Sequence, residues 1–357
     1  EIVDRLCARG ETADPSQLKK TKEWSTSNIL FSMERVAGTS RLFFGSSDFK
    51  MYEIDMAAEK PEPVAFSGDG HQSYVTGVGL AADSIVSGSY DGRLIWWNAE
   101  KKEQVRAVDA HAKWIRGVFV APDKKTVVSV ADDMVAKVWD AQSGELKHTL
   151  VDHKSMTPHH YPSMLYGATF SPDGKLLATA DKVGHIVIWE TDSGKKVTEL
   201  EAPGMYTWDP KQRRHSIGGI RSVAFSPDGN LLAAGGIGKI GNIDHLGGPS
   251  RVEVFDWKAG KRLHTLEDNK LKGLVEQICF HESGKWFLAA GGDHGGFVSF
   301  YETASGKPIK QEKAPMHVHE FAFDESFETL YTVGHGKIAV WELREKEDGP
   351  VEAPVPA

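Results

Sequence analysis

Phe170-Ser171-Pro172-Asp173-Gly174-Lys175-Leu176-Leu177-Ala178 and Phe225-Ser226-Pro227-Asp228-Gly229-Asn230-Leu231-Leu232-Ala233 are two copies of one phrase: the end of a strand, a turn, and the start of the next strand. Proline presets φ for the turn, and Asp and Gly accept the conformations that follow it. Val120-Ala121-Pro122-Asp123 keeps the Pro-Asp pair of a third copy. Downstream of each turn lies a short β-branched run that ends in an aromatic or large apolar residue. Across the chain these ends are Ile54, Trp97, Trp139, Trp189, Phe255, Tyr301 and Trp341. Four of them are followed five residues later by a turn glycine: Gly144, Gly194, Gly260 and Gly306.

The successive spacings are 43, 42, 50, 66, 46 and 40 residues. A repeat of this length with four short strands is the pattern of a propeller blade. One such sheet cannot bury both of its faces alone, whereas sheets packed around a ring can. The expectation is therefore an all-β, seven-bladed propeller over residues 17–344, with a leader at 1–16 and a Pro-rich tail or linker at 345–357.

The residues resemble the WD40-repeat family over nearly the whole chain. One repeat carries His71, Ser87, Asp91 and Trp97, and the next carries His111, Ser129, Asp133 and Trp139. The resemblance implies that each set forms a buried hydrogen-bonded relay across its blade, with every polar atom given a partner. Only these two repeats carry the full set. In repeats four, six and seven the acidic position reads Val183, Gly295 and His335. The segment Gln17–Trp24 resembles the outer-strand segment Glu145–Leu150, so the N-terminal strand is expected to complete the last blade and cover its edge.

Lys plus Arg number 42 against 50 Asp plus Glu, a net charge of −8, which argues against a general nucleic-acid-binding face. No stretch has the length and apolarity of a membrane span. Cys7, in a polar leader, and Cys279, in an apolar strand, read as free thiols. Gly236-Ile237-Gly238-Lys239-Ile240-Gly241 matches a dinucleotide-binding pattern in letters. The next element, however, is the strand around Arg251–Phe255 and not the helix that pattern needs. No cofactor is expected.

Where the repeat is broken is more informative. Against a base of 42, the spacings of 50 and 66 leave 8 and 24 extra residues. These fall at 153–162, 203–215 and 236–249. Links between blades share a face with the turns between second and third strands, so all three insertions belong on one face, over blades four and five. Loops inserted on a rigid scaffold commonly carry function.

Aligning the innermost strands sets Thr76, Arg116, Tyr166, Arg221, Glu276 and His319 in one row, which the WD40 resemblance implies lies at the mouth of the channel on the insertion face. Tyr74, Trp114, Met164, Gly219, Leu274 and His317 form the row two residues earlier. The register of the first repeat is too degenerate to place. Trp, Tyr and Arg dominate binding hot spots. The expected contacts for a protein or peptide partner are Trp114, Arg116, Tyr166, Tyr206, Trp208, Arg221 and His319, with rim loops from Tyr161 and His245.

Nine histidines are expected to be able to approach the same face: His153, His159, His160, His215, His245, His294, His317, His319 and His335. His159 with His160, and His317 with His319, have spacings a metal can use. No Cys pair, HExxH or carboxylate array accompanies them, so no metal site is assigned. The competing class is an enzyme or metal-dependent binder at the histidine-rich mouth. A third alternative is a spacer contacting other domains of a longer chain.

Overall fold

A computed structural model describes residues 13–82 and 84–344. Cys7, most of the leader and the Pro-rich tail lie outside the described residues. The architecture is an all-β propeller, whose only described helices are two single 3-10 turns, Pro15–Gln17 and Pro203–Met205. Five sheets have four strands each, and a sixth has six. One four-stranded sheet, for example, is built from Leu165–Phe170, Leu176–Asp181, His185–Glu190 and Lys196–Glu201 in chain order.

A seventh sheet is only a two-stranded ribbon, and the six-stranded sheet explains why six blade sheets stand where seven separate blades are expected. Its strand Lys19–Arg35 is 17 residues long and changes partner along its length. Lys19 to Ile29 pairs with the C-terminal strand Thr329–Glu342, from Lys19 opposite Glu342 to Ile29 opposite His335. Leu30 to Arg35 pairs with Arg41–Ser46. One strand thereby fuses the two ends of the chain into a single sheet. Asp14 N–H also donates to the Leu343 carbonyl at 2.7 Å.

The core lies between neighbouring sheets. Val128, Val130 and Val138 of one sheet pack with Leu165, Leu177 and Trp189 of the next, all buried. Both faces of each sheet are covered, so third strands such as His185–Glu190 are buried along four consecutive residues instead of alternating. The aromatic ends of those strands, Trp97, Trp139, Trp189 and Trp341, are each no more than 4% exposed. In the repeated turn, the Ser171 hydroxyl bonds Asp173 at 2.6 Å, whose carboxylate accepts the Lys175 N–H at 3.1 Å. Gly174 there takes φ of +71°, a conformation that penalises side chains.

Both expected relays have the anticipated atoms in contact. His71 bonds Asp91 at 3.1 Å and the Ser87 hydroxyl at 2.7 Å, and Trp97 donates to the same hydroxyl at 2.8 Å. His111, Asp133, Ser129 and Trp139 repeat this at 3.0, 2.7 and 2.9 Å.

The restriction to two repeats is corrected by a third set. His153 bonds Asp181 at 3.0 Å and the Thr179 hydroxyl at 2.8 Å, and Trp189 donates to Thr179 at 2.9 Å. The acid has moved two residues upstream of Val183, to the end of its strand, and still reaches the imidazole. His153 is therefore not a loop histidine of the insertion face but a buried relay member, 6% exposed. In the last repeat only the final link remains, Trp341 donating to Thr332 at 3.0 Å.

Candidate functional site

The three insertions pack on one another. The second forms a hairpin, Tyr206–Asp209 paired with His215–Gly218, so that Trp208 stands on a short ribbon. The ring of Trp208 stacks on His159 of the first insertion with centroids 3.6 Å apart, and Tyr206 lies on the same imidazole at 5.7 Å. The Tyr161 hydroxyl donates to the Asp209 carbonyl at 3.1 Å. The third insertion joins through the Ile240 N–H, which donates to the Thr207 hydroxyl at 3.1 Å, and through an Arg213–Asp244 ion pair of 2.5 Å. His245 sits at its tip, bonded to the Asn242 amide at 3.2 Å. Trp208 remains 40% exposed despite this support.

Beside the insertions, a cavity of about 830 Å³ runs into the ring, lined by Thr76, Arg116, Tyr166, Arg221, Glu276 and His319 among others. The structure supplies the missing position of the first repeat: Phe31, whose ring lies 5.2 Å from His319 and 5.4 Å from Tyr74. The lining is electrically divided. On one side, Arg116 makes a two-pronged pair with Asp132 at 2.8 and 2.7 Å and donates to the Tyr90 hydroxyl at 2.6 Å. Burial works against its charge, but Asp132 and the tyrosines keep it more firmly protonated than usual. Arg221 lies 3.5 Å above the Tyr166 ring. Lys182 joins them, and burial together with the Arg221 and Arg116 charges brings its ammonium down to about 8.

The opposite side carries Glu276, His317, His319 and His335. His317 bonds Glu276 at 3.1 Å. Burial favours the neutral acid, yet the His317 hydrogen bond and the charges of His317, His319 and Arg221 win, holding Glu276 at about 2.

Sequence reasoning missed an aromatic arc along the rim. Phe49, Tyr74, Tyr90 and Trp114 follow one another with centroids 5.8, 5.8 and 4.5 Å apart, the last pair stacked. Phe49 and Tyr74 are each 41% exposed and Trp114 51%. The Arg116 guanidinium faces both Tyr90 and Trp114, at 4.9 and 5.3 Å. Strand ends that are 65 residues apart in sequence, from Phe49 to Trp114, meet only because the ring brings them there. Among the weak metal candidates, His159 is engaged with Trp208 and His160 occupies a turn with φ of 63°, so neither joins His317 and His319.

Residues 64–98, 102–140 and 210–239 match the family model described as WD domain, G-beta repeat. The chain carries WD40 repeats. Curated relatives match it across very different lengths. Telomerase protein component 1 of Mus musculus is 26% identical over 269 residues, which is 75% of this chain but 9% of that protein. Meiotic recombination protein rec14 of Schizosaccharomyces pombe is 23% identical over 67% of this chain and 69% of its own length. WD repeat-containing protein VIP3 of Arabidopsis thaliana is 24% identical over 52% of this chain and 53% of its own. This WD40 chain thus spans a small fraction of one relative and more than half of the others. WD40 propellers typically serve as protein-interaction scaffolds, and no helix among the described residues is long and apolar enough to cross a membrane.

Proposed function

We propose that the chain is a non-catalytic WD40 scaffold that binds a protein or peptide across the face bearing the insertions. The carrying observation is the exposure of Trp208 and Trp114, at 40% and 51%, on rigidly braced supports. Large aromatics held in place lose little conformational freedom when a partner covers them, and they dominate binding energy when buried at an interface. Trp114, Arg116, Tyr166, Tyr206, Trp208, Arg221 and His319 are the proposed contacts, with Tyr161 and His245 bracing the rim loops. Tyr206 acts mainly by fixing His159 under Trp208. The net charge of −8 disfavours a nucleic-acid partner.

The ring itself is proposed to count seven. Lys19–Arg35 supplies the outermost strand to the last blade with its first half and the innermost strand to the first blade with its second. Affinity capture with the wild-type chain and with the double variant Trp208→Ala, Arg221→Ala tests the reading. The variant should lose the specific partner while keeping its melting temperature, and retained capture refutes the proposed face.

A further inference from the structure

Of the three histidines on the far side of the channel mouth, only His319 is among the proposed contacts, and their arrangement calls for an occupant of its own. His317 immediately precedes the strand Val318–Phe323, and His319 sits at a bulge in it between Val318 and Glu320, which brings the two rings together. His335 comes from the adjoining strand, Thr329–Glu342, and its N–H donates to the His317 carbonyl at 3.1 Å. The approach is possible because residue 334 is glycine: a Cβ there would lie 1.7 Å from the His317 carbonyl oxygen. Three imidazoles are thereby packed ring against ring, with centroids 4.6, 4.9 and 4.9 Å apart.

This is a poor arrangement for histidines left to themselves. The His319 Nε2 atom is buried without a hydrogen-bond partner. The Glu276 carboxyl group bonds Nε2 of His317 at 3.1 Å, and a proton held on that nitrogen leaves the lone pair on Nδ1. A carboxylate behind a ligating imidazole is the usual outer partner in transition-metal sites, fixing the tautomer and raising the basicity of the ligand.

We infer that His317, His319 and His335 form a binding site for a divalent transition-metal ion of the zinc or copper class, with Glu276 orienting His317. One donor atom from each histidine lies within 4.8 Å of the others. A tetrahedral ion with metal–nitrogen bonds of about 2.0–2.1 Å holds its donors about 3.4 Å apart, so side-chain rotation closes the site. His335 is exposed and free to make that adjustment, while His317 is buried. Neutral nitrogen donors select zinc, copper or nickel over magnesium and calcium. Three protein ligands leave a coordination position open toward the channel.

Isothermal titration of the untagged chain with zinc chloride and with copper chloride tests this. The expected result is one ion per chain with a dissociation constant near or below about 10 µM. His319→Gln and His335→Gln should each weaken it at least about tenfold, and Glu276→Gln by a similar factor through its loss as orienting partner. His294→Gln and His159→Gln, outside the cluster, should leave it unchanged. Zinc should raise the melting temperature of the wild type and not of His335→Gln. If a buried substitution prevents folding, the copper electron paramagnetic resonance spectrum of the wild type decides, since imidazole ligation splits the signal through nitrogen. Absence of a 1:1 heat, equal weakening by His294→Gln, or a copper signal without nitrogen coupling would overturn the site.

Discussion

Replacing Asp181 with alanine should destabilise the whole ring far beyond the size of the change. Asp181 is 1% exposed and holds three groups together. One oxygen bonds His153 Nδ1 at 3.0 Å, and the other accepts the Val183 and His185 N–H groups at 2.9 and 3.0 Å. Removing the carboxylate leaves a buried imidazole N–H and two turn amides seeking partners. Breaking a buried pair in this way costs about 3–5 kcal/mol. At about 2 °C per kcal/mol for a large domain, the melting temperature should fall by about 6–10 °C.

Thr179→Val removes the hydroxyl that Trp189 and His153 share, at 2.9 and 2.8 Å, and should cost about 1–3 kcal/mol. The two changes orphan opposite sides of the same imidazole, so the double variant should fall short of their sum by at least about 0.5 kcal/mol. Urea unfolding followed by tryptophan fluorescence supplies the three values, and the exposed substitution Lys101→Ala, within about 0.5 kcal/mol of wild type, is the control. Strict additivity, or a loss for Asp181→Ala no larger than the control, would refute the relay reading.

Deleting residues up to Trp24 removes the pairing of Lys19–Trp24 with the C-terminal strand and the Trp24 ring from its place 6.5 Å from Phe44. Differential scanning calorimetry should show a sharply lower melting temperature, and an unchanged melt rules out a closing role for this strand. Glu34 and Glu320 face each other in the channel; burial raises Glu34 to about 7, with Lys124 opposing, while burial and the Glu34 charge push Glu320 well above its ordinary value. Raised carboxyls contribute stability that is full below the unfolded value, about 4.3, and lost as pH rises through the folded value. Glu320→Gln should therefore stabilise the chain at pH 8 relative to wild type and lose that advantage by pH 4; a pH-independent difference in urea midpoints would contradict the assignment.

The blade pattern was legible because its turns and aromatic strand ends are local features. Ser171, Pro172, Asp173 and Gly174 act within a few residues of one another, and Trp139 or Trp189 marks a strand wherever the strand falls. The third relay was hidden by two shifts. Thr179 replaces serine, and Asp181 follows it by two residues, where Asp91 follows Ser87 and Asp133 follows Ser129 by four. Position-by-position comparison lands on Val183, yet the shorter spacing delivers a carboxylate to the same imidazole. The insertions were visible as broken spacing, but not their mutual bracing: nothing in the letters pairs His159 with Trp208. The aromatic arc from Phe49 to Trp114 arises from neighbouring sheets packed side by side, while Arg116 meets Asp132 across the paired strands of its own sheet, a register that the letters alone do not give.

The strand that joins both ends of the ring has a mechanical consequence. Lys19 lies opposite Glu342, and Asp14 is bonded to Leu343, so the polypeptide enters and leaves the ring side by side. Tension between those two points does not slide one strand along the other and strain many bonds at once. It runs across the ladder and loads the bonds one after another, from Lys19 opposite Glu342 inward. The seam that holds the circle against thermal opening is therefore the one a pulling load can unzip.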